Sequence, residues 1–536
     1  MARSPTVISA IVTTLLLSGC AATTRTAPAT LEPPIGPTAP CTAKVATLEV
    51  PFVAADVSRA LEPFQNLQNL QSLADAGIRF YGAEKVFWDD LEPSASSGYQ
   101  WNEYDAVIRE VEALGGDVLP TIWSVSSWAT TVPSAANPSS APAPEHRQRY
   151  SDLIEAFVAR YDCDGVNDMP GLLYAHDYLQ IEDEAENLGD AWIESPACAE
   201  HEEASEARFR CAADEYGATL QIAHQAAHAA NPDTQVVSFS FNFGDHFDHN
   251  PAGMPSISLF AQRRLAFLDQ VLTHYSAAFD VIAVQCNYGY AGIPPTVEYV
   301  RDAYRLDKPI ICADAASMPL IGRQQVQLPD RYADQYPFLT DSEILDILDQ
   351  GPTDPQYPEI SSWWEAEKAS LVVKKAVVAA DAGVEQIGFQ FVMTRWGGRR
   401  NVWRHAELLS AGPEHGDVAP AGTPRPVVYA LGQLDEMVTD FRTVENLNPI
   451  PPGTDPRSWL WMYRFDGEDQ AVYVIWSGCG ERAVDLSDHI PTASARVTPL
   501  VTALDESWAP IYPPVETVPT GSIPVDETPA LVEAEP

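Results

Sequence analysis

Positive charge is scarce in this chain: 32 Lys and Arg stand against 75 Asp and Glu, a net charge of −43. A surface that negative repels phosphate backbones, which excludes nucleic acid as a partner. Cysteine is sparse, eight in 536 residues, and none falls in a CxxC or Cys/His spacing that would hold zinc. No GxGxxG follows the first strand-like run, so a dinucleotide-binding open sheet has no support. No internal repeat is present. The apolar run Val7 to Leu17 is too short to span a bilayer as a permanent helix.

That run instead reads as part of an export signal over residues 1–20, MARSPTVISAIVTTLLLSGC, with Arg3 supplying the positive start. Its ending, Leu17-Ser18-Gly19-Cys20, resembles the lipobox of bacterial lipoproteins, which implies lipidation of Cys20 and a membrane-anchored protein of the bacterial cell envelope. Residues 21–44 follow as a Pro/Thr-rich tether without apolar periodicity. Seven cysteines remain, Cys41, Cys163, Cys198, Cys211, Cys286, Cys312 and Cys479, and an odd number leaves at least one thiol unpaired. Cys198 and Cys211 flank one polar insertion and are the expected bridge.

From about residue 45 the chain alternates β-branched runs with helical patterns. The strand candidates are 48–54, 78–82, 117–123, 178–183, 234–241, 280–286, 308–314 and 385–392. Helical patterns over 104–114, 148–161, 207–230, 259–275 and 363–382 separate them. Such alternation implies parallel pairing through crossovers, and eight units point to an α/β fold, a (β/α)8 TIM barrel over residues 45–441. After Ala421 the texture changes. A closing helix over 427–441 precedes alternating segments that predict a small β-sandwich over 442–511. Residues 512–536 are Pro-rich and acidic and are expected to be disordered.

In such a barrel chemistry sits at the carboxyl ends of the strands. The fourth strand runs into YLQIEDEAEN, where Glu182, Asp183, Glu184 and Glu186 crowd together. Side chains alternate along a strand, so Asp183 and Glu184 share a direction only if the strand has ended. Several stretches here resemble clan A retaining glycoside hydrolases of the xylosidase/iduronidase-like kind with an attached β-sandwich. These are GIRFYGAEKVFWDDLEPSASSGYQWNEYD, LPTIWSVSSWA, the approach to YLQIEDEAEN, AFLDQVLTHYSAAFDVIAVQCNYGY and DKPIICADAAS, in the family's order over residues 75–420. The resemblance implies Glu184 as general acid/base and Asp314 at the nucleophile position, where the family has Glu. It places Asp183 at the usual Asn and Gln285 at the usual His, with Arg79 and Tyr288 as further substrate contacts. Trp88, Trp123 and Trp396 are candidate sugar platforms. Hydrolysis of O-glycosidic bonds in an oligo- or polysaccharide is the implied activity, with no cofactor. The alternative is a non-catalytic carbohydrate-binding lipoprotein, which would account for the departures at Asp183, Gln285 and Asp314. An Asp is one C–C bond shorter than a Glu, about 1.5 Å of lost reach.

Two further clusters stand out. DCDGVND places Asp162, Asp164, Asn167 and Asp168 around a glycine, a candidate structural calcium loop with a spacing unlike that of an EF-hand. His224, His228, His246 and His249 lack any HExxH context and read as surface residues.

Overall fold

In the computed structural model, eight strands pair in parallel in the order β5-β4-β3-β2-β1-β8-β7-β6. They are β1 (Val53–Asp56), β2 (Phe80–Phe87), β3 (Asp117–Trp123), β4 (Tyr178–Ile181), β5 (Gln235–Val237), β6 (Ile282–Gln285), β7 (Ile310–Ala315) and β8 (Gln386–Phe389). The two end members of that order also meet, through parallel bridges Val237–Val281 and Phe241–Val284. The structure describes residues 53–56, 67–133, 139–186, 192–193, 195–202, 205–242, 259–287, 289–319, 339, 341–390, 392, 402–413, 417–438, 441–451, 454, 458–467 and 470–535. The expected signal, Cys20 and the tether lie outside the described residues.

Period-two alternation sorts the strand side chains into two separate cores. Leu119, Val237, Val281, Ala283, Ile311 and Ala313 cluster on one face. Their chain neighbours Val118, Val236, Ile282, Val284, Ile310 and Cys312 join the main core on the other. A strand buried on both faces reads as a continuous apolar run, which is why β3 is buried along its whole length. Each such Val, Leu or Ile contributes roughly 1.5–3 kcal/mol by leaving water. Helices return the chain between strands: α1 (Leu67–Asp75), α2 (Trp88–Leu91), α3 (Asn102–Ala113), α4 (Arg147–Tyr161), α5 (Glu206–Ala230), α6 (Leu259–His274), α7 (Ile293–Tyr304), α8 (Asp341–Gln350), α9 (Tyr357–Asp381) and α10 (Pro426–Val438).

The chain then forms an antiparallel sheet, β14-β13-β16-β11-β10-β9, and a two-stranded pair, β12-β15. These strands are β9 (Thr443–Asn446), β10 (Leu460–Asp466), β11 (Ala471–Ser477), β12 (Arg482–Val484), β13 (Ser494–Pro499), β14 (Glu516–Pro519), β15 (Ile523–Val525) and β16 (Ala530–Ala534). Alternation again feeds two cores. Trp461, Tyr463, Phe465, Val474, Trp476 and Leu531 enter the main core. Met462, Tyr473, Ile475, Ala495, Val497 and Val532 pack with Val484, Ile523 and Val525 of the small pair.

This corrects the expectation of a disordered tail over 512–536. β16 lies between β13 and β11, with Leu531 and Val532 fully buried. Prolines hid it by composition, yet Pro524 occupies a strand of the two-stranded pair, where a lost donor is tolerated. Glu533, which read as tail acidity, accepts a hydrogen bond from Gln470 at 2.7 Å. The antiparallel strands thus run from Thr443 to Ala534 rather than stopping at residue 511.

Candidate active site

The acidic stretch divides into carboxylates that hold the fold and carboxylates that face the strand ends. β4 stops at Ile181, and the next residues take left-handed backbone at Glu182 (φ 65°) and Glu184 (φ 49°). That conformation costs roughly 1–2 kcal/mol for a residue with a side chain, and two instances within three residues mark a site held by its surroundings. Glu182 is fully buried and accepts hydrogen bonds from the backbone N–H (2.6 Å) and hydroxyl of Ser124. It pins the end of β4 to the loop after β3. Glu186, also fully buried, accepts from the Asn242 N–H and the Arg264 guanidinium, both at 3.3 Å. Burial pushes its pKa up to about 7, opposed by Arg264 and reinforced by the charge of Glu184. Asp183 and Glu184 remain half-buried at the strand end.

From Glu184 a chain of side-chain amides crosses the ends of β6, β7 and β8. Gln285 Nε2 donates to Glu184 Oε1 at 2.7 Å. Asn287 Nδ2 donates to Gln285 Oε1 (3.3 Å) and to Asp314 Oδ2 (3.1 Å). Gln390 Nε2 donates in turn to Asn287 Oδ1. Gln285, Asn287 and Gln390 are all buried, and their amides are hydrogen-bonded as buried polar groups require. The two carboxylates therefore share one hydrogen-bonded frame.

The backbone beneath that frame is irregular where Asp314 sits. Between Val284–Cys312 and Gln285–Asp314 the β6–β7 register slips, and it slips again between β7 and β8 from Cys312–Ile387 to Ala315–Phe389. Both slips place a bulge at Ala313–Asp314, the device that re-aims a side chain at a strand end. A Cβ on Gly388 would stand 3.1 Å from the Ala313 carbonyl oxygen, so glycine leaves room for the bulge. A disulfide joins Cys286 to Cys312, and the buried Lys375 of α9 donates to the carbonyls of Cys286 and Ala316, both at 2.7 Å. Asn287, Gln390, Lys375 and this disulfide went unrecognised in sequence. Polar residues just past strands β6 and β8 were the available signal for the first two.

The remaining expected contacts fall elsewhere. β2 spans Phe80–Phe87, so Arg79 precedes it at the amino end, where its carbonyl accepts from Asp117 N–H at 2.9 Å. It is exposed and stands at the wrong end of the strand to meet Glu184. Trp88 is no sugar platform. It is fully buried against Trp128 and Tyr150, and its Nε1 donates to Glu92 Oε2 at 3.0 Å. Trp123 ends β3 but is only 4% exposed and stands edge-on to Phe87, so it presents no open face. Tyr288 and Trp396 lie outside the described residues.

The Cys198–Cys211 bridge is formed, Cys163 is also disulfide-bonded, and Cys479 is free. Asp162, Asp164 and Asp168 bring one carboxylate oxygen each within 4.8 Å of one another, and Asn167 adopts φ 65° beside them. Backbone N–H groups of Gly165 and Val166 already occupy Asp168 and Asp164, at 2.9 and 2.7 Å. Burial, and then the charge of Asp164, raises Asp162 to about 6.

Among solved structures, the chain is similar to a family 39 glycoside hydrolase from the gut symbiont Bacteroides cellulosilyticus WH2, at 11% identity and TM-score 0.54, covering 90% of this chain and 81% of that one. It is also similar to a conserved exported protein from Bacteroides fragilis, at 8% identity and TM-score 0.51 over 90% and 96% of the two chains. A monomeric β-xylosidase from Caulobacter crescentus CB15 aligns at 13% identity and TM-score 0.49 over 91% and 96%. No protein-family model and no curated protein matches the chain. The first two likenesses show the fold alone: a mixed α/β architecture with a parallel sheet.

Proposed function

We propose that the protein is an exported lipoprotein whose eight parallel strands close into a (β/α)8 barrel that hydrolyses O-glycosidic bonds. Glu184 serves as acid/base and Asp314 as nucleophile. The observation that carries this reading is the amide frame linking Glu184 to Asp314 across the carboxyl ends of β4, β6 and β7. Asp314 Oδ2, oriented by the Asn287 amide, attacks the anomeric carbon while Glu184 gives its proton to the leaving oxygen. Glu184 then takes a proton from the water that releases the sugar. The bulge at Ala313–Asp314 supports this role, because it moves the backbone where the side chain is one methylene short.

A broad glycoside panel, with anomeric configuration followed by NMR, tests the proposal. Hydrolysis with retention supports it, and inversion would recast Asp314 as the base for a water. Binding without turnover of any substrate would favour the carbohydrate-binding alternative, for which the burial of Trp88 and Trp123 removes two platforms. Calcium at Asp162, Asp164 and Asp168 and the lipid anchor at Cys20 belong to the same proposal. Cys20→Ala should release the protein from the membrane fraction.

A further inference from the structure

We propose that His224, His228 and Asp280 form a binding site for a zinc-class transition metal, which staples α5 to the seam between β5 and β6. His224 and His228 stand one helical turn apart on α5, and their rings lie 4.1 Å apart at 30°. Both aim Nε2 at one carboxylate: His228 Nε2 is 2.9 Å from Asp280 Oδ2, and His224 Nε2 is 3.4 Å from Asp280 Oδ1. One ligand atom from each residue lies within 4.8 Å of the others.

The longer distance is informative. It exceeds the usual N–H···O range of about 2.7–3.2 Å. It matches the roughly 3.3–3.4 Å edge between two ligands of a tetrahedral zinc with bonds of about 2.0–2.1 Å. Two imidazoles and a carboxylate are the donor set of zinc, nickel or copper rather than calcium. The carboxylate is oriented from behind, since Val236 N–H donates to Asp280 Oδ2 at 2.9 Å, as outer-shell partners orient metal ligands. All three side chains are only partly exposed, at 19%, 31% and 24%, which leaves an entry for the ion and a water as fourth ligand. A net charge of −43 concentrates cations at the surface.

The position explains what the ion would do. Asp280 lies just before β6, and its N–H donates to the Val236 carbonyl at 2.7 Å. β5 and β6 are the two end members of the sheet, and the seam between them carries isolated bridges and a few backbone hydrogen bonds. Metal binding here ties helix and seam together at the end of the sheet opposite Glu184, so it acts on stability and not on turnover.

The test uses the full, untagged chain, stripped with chelator and titrated with zinc chloride in a calorimeter. Wild type should take up a single zinc with a rise in Tm. His224→Ala and His228→Ala should each weaken uptake by at least about 100-fold, the upper range for loss of an outer-shell partner, and abolish the Tm rise. Histidine modification by diethylpyrocarbonate, mapped on wild type by mass spectrometry, decides the matter even if a variant fails to fold. Zinc should protect His224 and His228. Absence of zinc uptake, uptake unchanged in both variants, or equal modification with and without zinc would overturn the proposal.

Discussion

Apart from the buried Arg264–Glu186 pair after β4, the two ends of the eight-stranded sheet hold polar groups by different means. At the amino ends the buried groups are paired charges. His176 lies 2.6 Å from Asp117, the first residue of β3, and 3.7 Å from Glu112. Burial alone would push the His176 ring down, but the two carboxylates outweigh it and raise its pKa to about 9. Asp280, partly exposed before β6, is held down to about 2: burial opposes the shift, and the imidazoles of His224 and His228 with the Val236 N–H outweigh it. At the carboxyl ends the same kind of space holds amides against carboxylates, two left-handed glutamates and a strand bulge. Paired charges at close range favour one geometry. Amides tie carboxylates in place through directional hydrogen bonds, which suits groups that must hold one aim. Two left-handed glutamates and the β7 bulge collect at that end, as expected where structure serves chemistry.

The largest break in this comparison is at His176. His176→Gln should cost about 3–5 kcal/mol near pH 6, the range for breaking a buried ion pair, with activity per folded molecule unchanged. The folded pKa lies above the ordinary 6.5, so the stabilisation is complete below about 6.5 and disappears as pH rises through about 9. Denaturant melts of wild type and variant should converge across that window, and parallel curves would refute the pairing.

At the other end, Gly388→Ala sets a methyl 3.1 Å from the Ala313 carbonyl and must shift the bulge. Displacement of Asp314 by a fraction of an ångström should lower kcat by about 10-fold, given that 1 Å costs on the order of 100-fold. KM should hold. An unchanged kcat would detach the bulge from catalysis.

The smallest expected effect is at Trp88. Trp88→Phe keeps the apolar packing and removes one hydrogen bond to Glu92, so stability should fall by about 1 kcal/mol while sugar affinity stays the same. A loss of affinity would restore the ring as a sugar platform.

Much of the sheet was legible in sequence because buried parallel strands are continuous apolar runs between helices. β3 matches its expected span, and α5 begins one residue from the expected start. β2 was misplaced because Lys85 and Glu84 interrupt its pattern around a bulge, which carried Arg79 from the expected rim to the amino end. β16 was lost to composition, although the Leu531/Glu533 alternation was available. In the site, Glu184, Gln285 and Asp314 were named from the family resemblance, while the amide Asn287 that joins Gln285 to Asp314 was not. The roles of Glu182 and Glu186 were not legible, because only tertiary partners, Ser124 and Arg264, distinguish a structural carboxylate from its neighbour. The two tryptophans failed for the same reason: one buried on the inside of a turn and one stacked on a sugar have the same sequence signature.

The central claim is that the bulge has already brought Asp314 to its working position. Asp314→Glu tests it most directly, in initial rates on aryl glycosides with the wild type alongside. Wild type should hydrolyse at least one substrate, and the longer side chain should crowd Asn287 and lower kcat by about 10- to 100-fold. A variant faster than wild type, or no hydrolysis by either form on any member of the panel, would contradict the account.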